Sequence, residues 1–127
     1  MALFADLAAP QLESVVHTFE ERYFPAGEPI LRQGLRGSAF FVILEGEAAV
    51  HVDSEARATL GKGDFFGEIS ILLGEPPVAD VVALGALRCL ALDGRSVEGF
   101  LLAHPRVMYR MLQAQARRLR SANRRRD

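Results

Sequence analysis

The sequence predicts a mainly β domain with helices at both ends, and three observations predict it. Between Ile30 and Asp93, short apolar runs alternate with glycine-rich punctuation, the pattern of strands in a sandwich or barrel. On either side of that region, apolar residues recur at helical spacing instead. Half of the 127 residues are apolar, enough for a core that needs neither disulfide nor metal. One domain is expected over 1–127, with N-terminal helices over 1–21, the β region over 22–93 and C-terminal helices over 94–127.

Taken in order, Leu3, Phe4 and Leu7 predict a helical turn packed on a helix from Gln11 to Glu21, whose apolar side is Leu12, Val15, Val16 and Phe19. Phe24-Pro25-Ala26-Gly27 breaks that pattern. Strands are expected at Ile30-Leu31, Phe40 to Leu44, Ala48 to Val52, Ala58 to Leu60, Val78 to Leu84 and Leu87 to Leu92. Turns are expected at Gly34, Gly37, Gly46, Gly61, Gly63, Gly74 and Gly85. The stretch Phe66 to Gly74 departs from the strand pattern: apolar residues at Ile69, Leu72 and Leu73 predict one short helix between strands, capped by Gly74. After Asp93, Val97, Phe100 and Leu101 mark a helix that ends near His104-Pro105. A longer helix is expected from Pro105 to about Asn123. Its stripe is Val107, Met108, Met111, Leu112, Gln115, Leu119 and Ala122, and Arg124 to Arg126 is expected to fray.

Composition narrows the function. Cys89 is the one cysteine and lies in an apolar run, so no internal disulfide is available and a cytosolic setting is expected. Met1 to Pro10 lacks the basic start of a signal peptide, and no stretch approaches the roughly 20 apolar residues of a membrane span. Net charge is −1 but unevenly placed. Residues 1–94 carry 6 Lys and Arg against 14 Asp and Glu, a net of −8; residues 95–127 carry 9 Arg against 2 acids, a net of +7. A basic end either presents a solvated helix face or meets an acidic partner, nucleic acid or lipid.

This order of elements, with three motifs at matching spacing, resembles the cyclic-nucleotide-binding domain family of Crp/Fnr-type regulators, protein kinase A regulatory subunits and nucleotide-gated channels. Phe24 to Gly34 resembles the family's opening strand pair, and Phe40 to Gly46 its central strand and turn. Gly61-Lys62-Gly63-Asp64-Phe65-Phe66-Gly67-Glu68, the strongest match, is similar to the lead into the phosphate-binding cassette. The resemblance implies a jelly roll (a double-stranded β-helix) with an inserted pocket helix, and cAMP or cGMP as ligand. Gly67 would let backbone approach the ligand, and the amides opening the short helix would favour its anion. Glu68 would accept a hydrogen bond from a ribose hydroxyl, or else merely complement the helix dipole.

The cassette departs from the family at one point. The family places an arginine downstream of the glutamate, followed by small residues; here Pro77 stands there, within Glu75-Pro76-Pro77-Val78-Ala79-Asp80. Shifting the alignment by one offers Val78 instead. Proline supplies neither charge nor N–H, and Asp80 adds a negative charge where an anion is expected. Affinity for cyclic nucleotides is therefore expected to be reduced.

Other chemistries find little support. His17, His51 and His104 fall on separate elements, without the converging histidines of a metal enzyme. One cysteine does not make a four-cysteine iron–sulfur site, and no nucleophile–base pair is signalled. No metal, cofactor or catalytic residue is expected. The chain has no helix-turn-helix after its last helix, so it is expected to lack sequence-specific nucleic-acid binding. The leading expectation is a cytoplasmic, non-catalytic sensor module. Gly67, Glu68, Ile69 and Ser70 form the floor of its ligand site, with Val78 and Ala79 opposite, and a homodimer forms through helix 105–123. Two other readings remain: a degenerate domain that serves for dimerisation or docking, and the effector part of a Crp/Fnr-type transcription regulator.

Overall fold

A computed structural model describes residues 3–35 and 39–125. The elements, in chain order, are α1 (Ala9–Thr18), β1 (Glu20–Phe24), β2 (Pro29–Leu31), β3 (Ala39–Glu45), β4 (Ala48–Val52), β5 (Glu55–Leu60), β6 (Phe65–Phe66), α2 (Glu68–Leu73), β7 (Asp80–Ala83), β8 (Leu87–Asp93), α3 (Gly94–Ala103) and α4 (Pro105–Arg125). Two four-stranded sheets form, β1-β8-β3-β6 and β2-β7-β4-β5, and their strand pairs are antiparallel. The fold is mainly β with flanking helices, a jelly roll. The turn expected at Gly37 and the chain end at Arg126 lie outside the described residues.

The first sheet is covered on both faces, which explains its long apolar runs. In β3, Phe40 and Val42 pack with Phe19, Leu90, Leu92, Val97, Phe100, Val107 and Met111 on the helix side. Phe41 and Ile43 point the other way and pack with Leu31, Phe66, Val81, Leu87 and Cys89 between the sheets. Alternate residues thus serve two cores from one strand. Cys89 is fully buried, and that burial pushes its thiol pKa up to about 11.

Three expectations need correction. The first helix spans Ala9–Thr18 rather than Gln11 to Glu21, because Glu20 and Glu21 pair with Ala91 and Leu90 as strand. On α1 only Val15 of the expected side is buried, with Phe19 just after it; Leu12 and Val16 are exposed. The stripe of α4 divides: Val107 and Met111 are buried in the helix-side core, whereas Met108, Leu112 and Leu119 face outward. The helix itself continues regularly through Arg124 to Arg125.

Candidate functional site

Between β6 and β7 the chain makes the short helix α2. Gly67 opens it with φ 90° and Gly74 closes it with φ 67°, both left-handed conformations that favour glycine. The reason for Gly67 differs from expectation. A Cβ there would stand 2.4 Å from the carbonyl oxygen of Ala39, so the space a side chain would take is filled by strand β3, not left for a ligand. Nor do Ile69, Leu72 and Leu73 hold the helix down; all three are exposed. The buried residues of α2 are Glu68 and Ser70, and Ile71 packs on the helix-side core.

Above α2 lies a cavity of about 440 Å³. Its inner wall is apolar, from Leu31, Val50, Leu60 and Val81 of the second sheet. All six residues expected from sequence line it: Gly67, Glu68, Ile69 and Ser70 on one side, Val78 and Ala79 on the other. Pro77 also lines it, and its carbonyl accepts a hydrogen bond from the Gly34 amide (2.9 Å), which fixes the loop. Asp80 does not line the cavity. Its carboxylate accepts the Gln33 amide (2.6 Å), and the Gln33 side chain in turn binds Asp53 in the β4–β5 turn. The negative charge expected near an anion is thus turned onto a backbone N–H.

The roof comes from α4, through Arg117, Arg118, Ser121 and Ala122. Glu68, only 1% exposed, is held from that helix. Gln115 Nε2 donates to its Oε2 (2.5 Å), and Arg118 Nη1 donates to the same oxygen (3.2 Å). Arg118 Nη2 donates to the Phe65 carbonyl (2.7 Å), and the guanidinium lies 4.3 Å from the centroid of the Phe65 ring. Among the described residues no fully buried side-chain oxygen or nitrogen is left without a hydrogen-bond partner. Sequence reasoning missed Gln115 as a site residue, since only its place in a stripe was visible. Arg88 serves elsewhere, paired with Glu21 (2.8 Å) and Glu45 (3.5 Å) on the first sheet. Among the described residues, no group of His, Cys, Asp and Glu side chains converges as metal ligands would.

The elements thus form a jelly roll with a short helix flooring a cavity and a C-terminal helix roofing it. The family model described as "Cyclic nucleotide-binding domain" matches residues 21–104, and the chain belongs to that family. Over 88 residues it is 39% identical to a cAMP-dependent protein kinase regulatory subunit of Mycosarcoma maydis, covering 66% of this chain and 17% of that protein. Over 116 residues it is 34% identical to a cGMP-dependent protein kinase of Toxoplasma gondii, covering 87% of this chain and 12% of that one. It therefore spans under a fifth of either relative. The catabolite activator protein of Thermus thermophilus superposes with a TM-score of 0.87 at 30% identity, over 97% of this chain and 60% of that one. The chain thus carries a domain of that family, similar to parts of those proteins.

Proposed function

We propose that the chain is a non-catalytic sensor whose cavity takes cAMP or cGMP, with affinity reduced because Pro77 replaces the cassette arginine. One observation carries this reading. Glu68 lines the cavity with its carboxylate held from α4, and a carboxylate at a cavity wall favours a hydroxyl donor. The apolar second sheet suits the ligand's base and sugar. Gly67, Ile69, Ser70, Val78 and Ala79 complete the site. Because Gln115 and Arg118 hold the same carboxylate, ligand occupancy biases the position of α4, which passes the signal on.

The outward side chains Met108, Leu112 and Leu119 favour a second copy of the chain as the partner of α4. Light scattering on the parent and on Leu112→Glu/Leu119→Glu tests this: a dimeric parent and a monomeric variant support it, and a monomeric parent contradicts it. A cytoplasmic setting belongs to the same proposal; among the described residues no helix is long and apolar enough to cross a membrane. Calorimetry with cAMP and cGMP, on the parent and on Pro77→Arg, tests the ligand reading. Weak saturable binding that tightens by about 10- to 100-fold in the variant supports it. Tight binding by the parent contradicts the role given to Pro77, and no binding by either chain leaves the cavity to the docking reading.

A further inference from the structure

A second cavity, of about 300 Å³, lies between α4 and the turn leading into β6, with Leu3 also in its lining. Four cations line it: Lys62 from the turn and Arg110, Arg117 and Arg118 from the helix. The single acid there is Asp64, whose Oδ2 already accepts the Gly61 amide (2.9 Å). The cations fall into two pairs. Arg110 is held by both oxygens of Asp6 (2.8 Å each), and Arg118 by Glu68 and the Phe65 carbonyl. Lys62 and Arg117 have no partner among the described residues.

The geometry points to this cleft as an anion site for a phosphate-bearing small molecule, bridged between Lys62 and Arg117. Asp6 and Glu68 neutralise Arg110 and Arg118, so Lys62 and Arg117 supply the charge that draws an anion in. A planar guanidinium beside an ammonium matches a phosphoryl group with several acceptor oxygens. The two fixed arginines keep the cleft's shape, and the exposed Lys62 and Arg117 side chains become ordered when the anion binds. Arg117 and Arg118 line both cavities, whereas Lys62 lines only the second, so Lys62→Gln is the variant that separates the two.

The test is a pyrophosphate titration of the full chain by amide and arginine Nε NMR, at constant ionic strength, with sulfate and chloride as controls. Saturable shifts confined to Gly63, Asp64, Phe65 and the Arg117 and Arg118 side chains are expected. Lys62→Gln and Arg117→Gln should each weaken binding by about tenfold. A second arm with a sugar phosphate and with inorganic phosphate separates the sources: tighter binding of the sugar phosphate marks an organic phosphate, and equal binding marks the free anion. Three results would overturn the site. One is equal response to sulfate and chloride; another is unchanged affinity in Lys62→Gln. The third is shifts spread along Arg120 and Arg124, which would mark a nucleic-acid backbone on an open face.

Discussion

The two halves of α4 are held by different physics. At its start, Val107 is fully buried and Met111 is 3% exposed, both inside the helix-side core. Toward its end the inward contacts are polar, Gln115 and Arg118 on Glu68, while Leu112 and Leu119 are each 64% exposed on the other side. Burial of apolar surface is non-directional and hard to exchange. A hydrogen-bonded ion pair at a cavity can trade partners with an incoming ligand. One helix thus has an apolar root and a polar end beside the cavity.

Breaking the root has the largest expected effect. Met111→Ala should lower the unfolding free energy by about 2–5 kcal/mol, measured by urea denaturation. Leu112→Ala, one residue further, should change it by less than about 0.5 kcal/mol in dilute, monomeric protein. Equal losses would erase the distinction between the two faces of the root.

At the other end, Arg118→Ala strands the buried Glu68 carboxylate beside Gln115 alone. We expect a loss of about 1–3 kcal/mol, below the range for fully buried pairs because the Arg118 side chain still reaches water. Arg118→Lys should recover only part of it, since one ammonium does not span both Glu68 and the Phe65 carbonyl. Full recovery would mean that charge alone, without the fork geometry, holds this end.

A third contact joins the N-terminal turn to α4 and sharpens the comparison through pH. Hydrogen bonds from Arg110, with the charge of Arg106 beside it, lower the Asp6 pKa from 3.8 to about 2. A depressed carboxylate contributes stability above its unfolded pKa and loses it as pH falls through the folded one. Asp6→Asn should therefore be less stable than the parent at pH 7, with a difference that shrinks between about pH 4 and pH 2. A difference constant with pH would show that the ion pair is not its cause. The smallest effect is kinetic: Cys89, buried with its pKa raised, should resist thiol labelling until the chain unfolds. Prompt labelling of folded protein would show that the sheet core opens locally.

These contrasts also show what the sequence made legible. Strands β3 and β8 were visible as continuous apolar runs because their sheet is covered on both faces. Helix α2 was visible because Gly67 and Gly74 bracket it. Strand β1 was hidden, since four of the five residues in Glu20–Phe24 are exposed and carry no alternation. Strand β6, two residues long, is too short for any period. The stripe of α4 could not be divided in advance, because residues facing the chain's own core and residues facing out share nearly the same spacing. The six expected site residues line one cavity, but the hold of Gln115 and Arg118 on Glu68 joins positions 47 and 50 residues apart. No local pattern encodes that contact; it follows from where the jelly roll places α2 beneath α4.

If Glu68 serves both the cavity and the helix, calorimetric titration of the parent and of Glu68→Gln with cAMP and cGMP will register its loss. The amide keeps the shape but removes the charge that makes the acceptor strong. We predict saturable one-to-one binding of at least one cyclic nucleotide to the parent, weakened by about 10- to 100-fold in the variant. Unchanged affinity in Glu68→Gln would place the ligand elsewhere and contradict the account.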